Sequence, residues 1–160
     1  MSIKIYTDGS SRGNPGPGGY GIVLISEEGH RKEVAKGYRK TTNNRMELLS
    51  VIVGLELLKV KPMDVLIFSD SKYVVDAVQK KWVFQWESKQ FDKKKNADLW
   101  TRFLAIYRAH NVRFLWIKGH NNNVENERCD RLAVAAAKAE KHHDIDKGYE
   151  KSISQNSPLF

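Results

Sequence analysis

The sequence has little of several features that would assign a protein to a class at once. Its 160 residues include a single cysteine, Cys129, which excludes an internal disulfide and a cysteine-based zinc site. The longest unbroken apolar run is six residues, Leu132 to Ala137, far below the roughly 20 residues that span a bilayer. The start MSIKIYTDG has no apolar core of a signal peptide. We therefore expect a cytoplasmic protein that makes no membrane contact.

Negative charge is also in short supply. Lysine and arginine number 27 against 19 acidic residues, and the resulting net charge of +8 favours a polyanionic partner such as nucleic acid. The length fits one domain, for which the 41% hydrophobic residues can build a core. We place that domain at residues 1–140. Residues 141–160 lack apolar periodicity, which predicts a polar, flexible tail. No heptad pattern is present, so we expect a monomer.

Periodicity along the chain predicts an α/β fold. The predicted elements are strands at 3–8, 21–26 and 32–39, a helix at 43–61, a strand at 65–70, helices at 73–81 and 99–107, a strand at 112–118 and a helix at 125–140. Short turns make the first three strands an antiparallel meander, whereas helical crossovers make the last two strands parallel. The expectation is a single mixed five-stranded sheet flanked by helices.

Four carboxylates lie on or next to the predicted strands and helices. They are Asp8, Glu47, Asp70 and Asp130. Each also has a structural interpretation. Asp8 could be a turn residue, and Glu47 could close a capping box with Asn44. Asp70 could cap the next helix, and Asp130 could favour its helix dipole or pair with an arginine.

Taken together, the carboxylates predict a metal site. The simplest topology sets the fourth strand beside the first, so that Asp8 and Asp70 become neighbours at the edge where α/β sheets bind ligands. Converging carboxylates repel one another unless cations neutralise them. Oxygen ligands suit Mg²⁺ or Mn²⁺, and a pair of such ions about 3.5 to 4 Å apart stabilises both oxygens of a phosphodiester displacement. The pattern therefore predicts phosphodiester hydrolysis.

Four blocks of sequence then carry a family resemblance. YTDGSSRGNPGPGGYG, TTNNRMELLS, FSDSKYV and WIKGHNNNVENERCDRLA resemble the signature blocks of the bacterial type 1 ribonuclease H family, over roughly residues 3 to 138. The resemblance implies a ribonuclease H-like catalytic domain that cleaves the RNA strand of RNA/DNA hybrids and leaves 5′-phosphate and 3′-hydroxyl ends. It implies two magnesium ions held by Asp8, Glu47, Asp70 and Asp130. It also implies that His120 assists proton movement or product departure.

The same resemblance implies contacts with the substrate. Asn14, Asn43, Asn44 and the Glu47 carboxylate would contact the 2′-hydroxyl, the group that distinguishes RNA from DNA. Asn43 and Asn44 could instead cap the helix, and Asn14 could belong only to a turn. Lys72 stands where relatives often have glutamine, and it can donate to a phosphate but cannot accept from a base.

A basic segment at about residues 79–95 resembles the family's protrusion that grips the DNA strand. Its sequence QKKWVFQWESKQFDKKK holds six lysines and two acids. On a helix, Trp82 and Trp86 would share a face for stacking, with Lys93, Lys94 and Lys95 reaching phosphates. The alternative is a solvated helix end whose tryptophans belong to the core.

The glycine-rich run GPGGYG has the form GxGxxG but leads into a strand, so we reject a dinucleotide site. We expect its glycines to let the first two strands turn sharply, between Ser10 and Gly19, and to leave backbone close to nucleic acid.

Two other functions stay open. The same fold could carry a DNA-cleaving exonuclease or a strand-transfer enzyme, since related folds share clustered carboxylates. The glycine-rich turn, the paired asparagines and the basic protrusion argue against it. Alternatively, the chain could be a catalytically silent module that binds duplexes through a basic face. Four intact carboxylates disfavour this because a pure binder gains nothing from negative charge that faces phosphate.

Overall fold

The computed structural model describes residues 1–118 and 123–156. In these ranges the strands are β1 (Ser2–Ser11), β2 (Gly16–Ser26), β3 (Arg31–Thr41), β4 (Asp64–Ser69) and β5 (Asn111–Trp116). The α-helices are α1 (Asn43–Glu56), α2 (Lys72–Gln79), α3 (Trp82–Ser88), α4 (Ala97–Tyr107), α5 (Val124–Lys138) and α6 (Lys147–Asn156). A short 3₁₀ helix, Glu140–His142, joins α5 to the last segment. None of the described helices combines the length and apolar character of a membrane span.

The strands form one sheet in the order β3-β2-β1-β4-β5. β1, β2 and β3 pair antiparallel, whereas β4 pairs parallel with both β1 and β5. The predicted α/β fold with one mixed five-stranded sheet is therefore confirmed, including the placement of β4 beside β1.

Helices cover the two faces of the sheet unequally. α1 packs on β1, β2 and α4, where the core contains large side chains such as Ile5, Ile52, Trp100 and Phe103. α5 packs across β1, β2 and β3 and buries smaller side chains, among them Cys129, Ala133 and Ala137. Side chains alternate between faces along a strand, so β1 sends Ile5 toward α1 and Asp8 toward α5.

The glycine-rich run differs from the expected turn. β2 already begins at Gly16, so most of the run lies inside the sheet. At Gly21 a Cβ atom would lie 2.3 Å from the Cys129 carbonyl oxygen of α5, closer than any real Cβ contact. Gly19, where a Cβ would lie 2.6 Å from the Ala133 carbonyl oxygen, and Gly21 therefore serve the close approach of α5 to the sheet. The turn is confined to the residues between Ser11 and Gly16.

The largest differences from the predicted helices lie at the end of α1 and in the basic segment after α2. α1 ends at Glu56, five residues before Lys61, because the chain turns to bury Leu58 and leaves the following Lys59 and Val60 exposed. The basic segment contains a separate helix, α3, which begins after Lys81 adopts a left-handed backbone conformation that α2 cannot continue through.

The segment after residue 140, expected to be a polar, flexible tail, contains regular structure as far as residue 156, and residues 157–160 lie outside the described ranges. Its chain forms the 3₁₀ helix and α6, and Asp146 between them is buried. The Asp146 carboxylate accepts hydrogen bonds from Arg45 at 2.8 and 2.9 Å and from the Thr41 hydroxyl at 2.7 Å. Arg45 is itself buried and also pairs with Asp98 of α4 at 2.7 Å. One buried cation thus fastens the segment to α1 and α4, without any apolar periodicity.

This ion pair gives a stability prediction. Asp146→Ala would leave the buried Arg45 guanidinium with Asp98 as its remaining ion-pair partner, and we expect the free energy of unfolding to fall by about 3 kcal/mol. Urea denaturation measures the change. The control is Asp144→Ala, which removes an exposed pair with Lys36 and should shift the midpoint little. Equal midpoints for the two variants would contradict the assignment of α6 as a docked element.

Candidate active site

The first carboxylate pair forms where β1 meets the beginning of α1. The Gly9 backbone N–H donates to Glu47 Oε1 at 2.5 Å and to Asp8 Oδ1 at 3.0 Å. A Cβ at Gly9 would lie only 2.3 Å from the Glu47 nitrogen and 2.4 Å from the Met46 carbonyl carbon. Glycine is therefore required at position 9 for α1 to sit against the strand end, which brings Glu47 beside Asp8.

The third carboxylate lies at the end of the neighbouring strand. Asp70 follows Ser69, the last residue of β4, and β4 pairs directly with β1. One carboxylate oxygen from each of Asp8, Glu47 and Asp70 lies within 4.8 Å of the other two. The sheet therefore joins residues from three separate parts of the chain into one acidic cluster.

The fourth carboxylate faces the same cleft. Asp130 belongs to α5, the helix that covers the Asp8 face of the sheet. It lines a cleft of about 480 Å³ together with the other three acids, and its charge contributes to the raised pKa of Asp8. The structure thus brings all four predicted acidic residues to one cleft.

The capping and ion-pair roles considered for Glu47, Asp70 and Asp130 do not match the observed contacts. Thr42 caps α1, with its hydroxyl accepting from the Arg45 N–H, while Glu47 bonds to Gly9 instead of closing a capping box. Ser71, not Asp70, caps α2. Within residues 1–118 and 123–156, Asp130 forms no ion pair with an arginine or lysine.

Burial and mutual repulsion dominate the electrostatics of the cluster. Burial raises the pKa of Asp8 well above its ordinary value, and the Glu47 carboxylate raises it further, as do Asp70 and Asp130. Burial and the Asp70 charge also raise the pKa of Glu47, against hydrogen bonds from Asp8, the Gly9 N–H and Ser71 that lower it. Without a cation, burial and mutual repulsion therefore disfavour full ionisation of Asp8 together with Glu47.

The proposed substrate-contacting residues fall into two places. Asn43, Asn44 and Lys72 line the acidic cleft. Asn14 lies in an adjacent groove, where its side-chain oxygen accepts from the Asn43 N–H at 3.1 Å. Lys93, Lys94 and Lys95 line that same groove. His120 lies outside the described residues.

The two tryptophans of the basic segment have different environments. Trp82 is 41% exposed, with the Lys80 ammonium 5.0 Å from its ring centroid. Trp86 instead packs its ring against the buried Trp100, at 5.7 Å between centroids, so it follows the core alternative. Trp82 is therefore the more exposed ring of the pair.

Sequence reasoning missed several residues of the cleft. Ser10, Tyr73, Asn126 and Glu127 line it beside the acids. Asn126 is buried, and its side-chain oxygen has no hydrogen-bond partner among the described residues. Its position one helical turn before Asp130 on α5 was the available signal, since residues four apart share a helix face.

The raised pKa of Asp8 gives a prediction about stability and pH. A carboxyl whose pKa is higher in the folded than in the unfolded state takes up a proton on folding, so the free energy of unfolding falls as the pH rises above about 4. Asp8→Asn removes this cost. In EDTA at pH 8 we expect the variant to gain about 1 to 2 kcal/mol over the parent, measured by thermal unfolding.

At pH 5 the gain should shrink because the parent then holds its proton at little cost. The control is Asp92→Asn, an exposed aspartate in the basic segment, which should show no pH-dependent gain. A loss of stability in Asp8→Asn at pH 8 would contradict the repulsion described above.

The chain is similar to known proteins over most of its length. The RNase H family model matches residues 1–138. A ribonuclease H from Desulforamulus reducens is 55% identical over 141 residues, covering 85% of this chain and 87% of its own. A ribonuclease HI from Synechocystis is 45% identical over 155 residues, covering 94% and 96%.

Solved structures agree with the sequence relatives. The type 1 RNase H called LC9-RNase H1 superposes with a TM-score of 0.77 at 31% identity, covering 96% of this chain and 81% of its own. LC11-RNase H1, solved in complex with an RNA/DNA hybrid, gives 0.63 at 28% identity and covers 84% and 96%. The family model matches most of the chain, and the relatives named above are 45% and 55% identical to it. The chain therefore belongs to the RNase H family of nucleases.

Proposed function

We propose that this enzyme hydrolyses the RNA strand of RNA/DNA hybrids by a two-metal-ion mechanism and leaves 5′-phosphate and 3′-hydroxyl ends. The observation that carries the proposal is the cluster of Asp8, Glu47 and Asp70, whose ligand atoms lie within 4.8 Å of one another. Family membership supports the substrate class, as does the LC11-RNase H1 complex with a hybrid.

The donor set fits a hard divalent cation. It consists of carboxylate oxygens, and the raised pKa values of Asp8 and Glu47 mark negative charge that lacks compensation. We propose that Asp8, Glu47, Asp70 and Asp130 hold two Mg²⁺ ions in the substrate complex, with Mn²⁺ as a possible substitute. When bound, such ions activate water and stabilise the charge on the attacking and leaving oxygens.

The remaining residues bind and orient the substrate in this proposal. Asn43 and Asn44 stand beside the acids and contact the 2′-hydroxyl through amides that both donate and accept. Lys72 donates to a phosphate. Asn14 contacts the hybrid from the adjacent groove, and Trp82 offers its exposed ring for stacking. His120 assists proton movement or product departure, as a histidine that titrates near neutral pH can. Because one chain supplies the whole site, we propose a monomer.

The decisive test compares substrates and a metal ligand. Labelled RNA/DNA hybrid, RNA duplex and DNA duplex are incubated with Mg²⁺ or EDTA. We expect Mg²⁺-dependent cleavage of RNA in the hybrid alone. Asp70→Asn should reduce that cleavage roughly 10³-fold while hybrid binding survives, because it removes several kcal/mol of charge stabilisation at the reaction centre.

The matched control is Asp64→Asn, which changes the aspartate at the opposite end of β4 and should leave cleavage unchanged. Equal cleavage of DNA duplex would support a DNA nuclease or strand-transfer enzyme instead. Binding without cleavage in any metal would support a silent duplex-binding module.

The lysine-rich end of the protrusion gives a second prediction. Replacing Lys93, Lys94 and Lys95 by alanine should weaken hybrid binding and reduce the slope of log affinity against log salt by about 0.9 for each phosphate that the variant no longer neutralises. Titrations at several salt concentrations measure the slope.

The control is a Lys59→Ala, Lys61→Ala variant, which alters exposed lysines beyond the far end of α1. The slope of this control should match the parent. An unchanged slope in the triple variant would remove these three lysines from the interface.

A further inference from the structure

A second groove adjoins the acidic cleft. It has a volume of about 870 Å³ and runs between the lysine-rich end of the protrusion and α6. Asn44 lines both the groove and the cleft, so the two are continuous on the surface. A strand held in the cleft belongs to a duplex whose continuation needs a path across the neighbouring surface, and this groove offers one.

The charge of the groove suits a phosphate backbone. Its described lining contains five cationic side chains and one acid, Asp98. Arg45 neutralises Asp98 through a bidentate pair with distances of 2.7 and 2.8 Å. Four lysines remain without an acidic partner in the described lining, Lys93, Lys94 and Lys95 on one wall and Lys151 on the other. The Gln155 side-chain amide of α6 lines the groove beside Lys151 and is able to donate to phosphate oxygens, whereas the Ser152 hydroxyl already donates to the Tyr149 carbonyl oxygen at 2.6 Å.

Buried hydrogen bonds and ion pairs hold α6, one wall of the groove, in place. The buried Asp146 carboxylate accepts from the Tyr149 N–H at 3.1 Å at the beginning of α6 while it binds Arg45. Gly148 lies so close that a Cβ there would be 2.0 Å from an Asp98 carboxylate oxygen. Arg39 also pairs with Glu150 at 2.7 Å. The position of Lys151 is therefore set by the same cation that anchors α1 and α4.

We propose that α6 is a second nucleic-acid-binding element, in which Lys151, supported by Gln155, contacts backbone phosphates of the hybrid beyond the catalytic cleft. α6 begins after residue 138, where the family-model match ends. The proposal rests on the proposed function for the identity of its ligand. It adds a contact that neither the acidic cleft nor the basic protrusion supplies.

The test measures hybrid binding with divalent cations chelated, so that nothing is cleaved. Lys151→Ala should reduce the slope of log affinity against log salt by about 0.9, the value for one phosphate contact. Lys151→Arg, which keeps the charge, should restore the slope. The matched control, Lys141→Ala, removes an exposed lysine from the 3₁₀ helix outside the groove and should leave the slope unchanged.

Catalysis gives an independent readout. A contact made equally in the ground and transition states raises KM and leaves kcat unchanged when it is removed, so Lys151→Ala should raise KM several-fold at low salt. An unchanged slope in Lys151→Ala, or an equal loss in Lys141→Ala, would overturn the proposal. The binding arm needs no cleavage. Failure of the parent to cut hybrid would therefore count against the proposed function, and the slope would still decide the role of α6.

Discussion

The mutual repulsion of buried carboxylates is the constraint on which the site depends. Asp8 and Glu47 lie together because Gly9 lets α1 approach the end of β1 more closely than any side chain would permit. Burial and proximity make their joint ionisation costly, as their raised pKa values indicate. The rest of the fold must hold these groups in place against that repulsion. The core on the α1 face and the close packing of α5 on the glycines of the sheet provide this stability.

Helix α1 carries two buried charged residues, one whose charge is compensated by its neighbours and one whose charge is not. Arg45 is surrounded by Asp98 and Asp146, so its charge is fully compensated and fastens α4 and α6 to the helix. Glu47, two residues later, faces other carboxylates and lacks such compensation. The first arrangement contributes to the stability of the fold, whereas the second creates a demand for cations. The compensated charge of Arg45 is typical of a structural ion pair, whereas the uncompensated charge of Glu47 is typical of a functional site.

Sequence patterns predicted the parts of the fold that repeat locally. The alternation in β1 and the helical spacing in α1 identified elements, and topology rules then placed Asp70 beside Asp8. The role of Gly21 was not predicted because glycine is required there by the backbone of α5, which packs against it from more than a hundred residues away in the sequence. The α6 segment was missed for a similar reason. Its anchor is the pair of Arg45 and Asp146, and two isolated charged residues 101 positions apart leave no periodic signal.

The anchor of α6 also connects the two surfaces that would meet a duplex. Asn96 accepts from Arg45 at 3.3 Å and donates to the Tyr73 hydroxyl at 2.9 Å, and Tyr73 lines the acidic cleft. Trp100, buried in the core, donates to the same hydroxyl at 3.0 Å. The groove walls and the cleft are thus parts of one hydrogen-bonded framework. Phosphate contacts made in the groove are therefore held at a fixed position relative to the carboxylates, which is the condition for binding energy to orient a scissile bond.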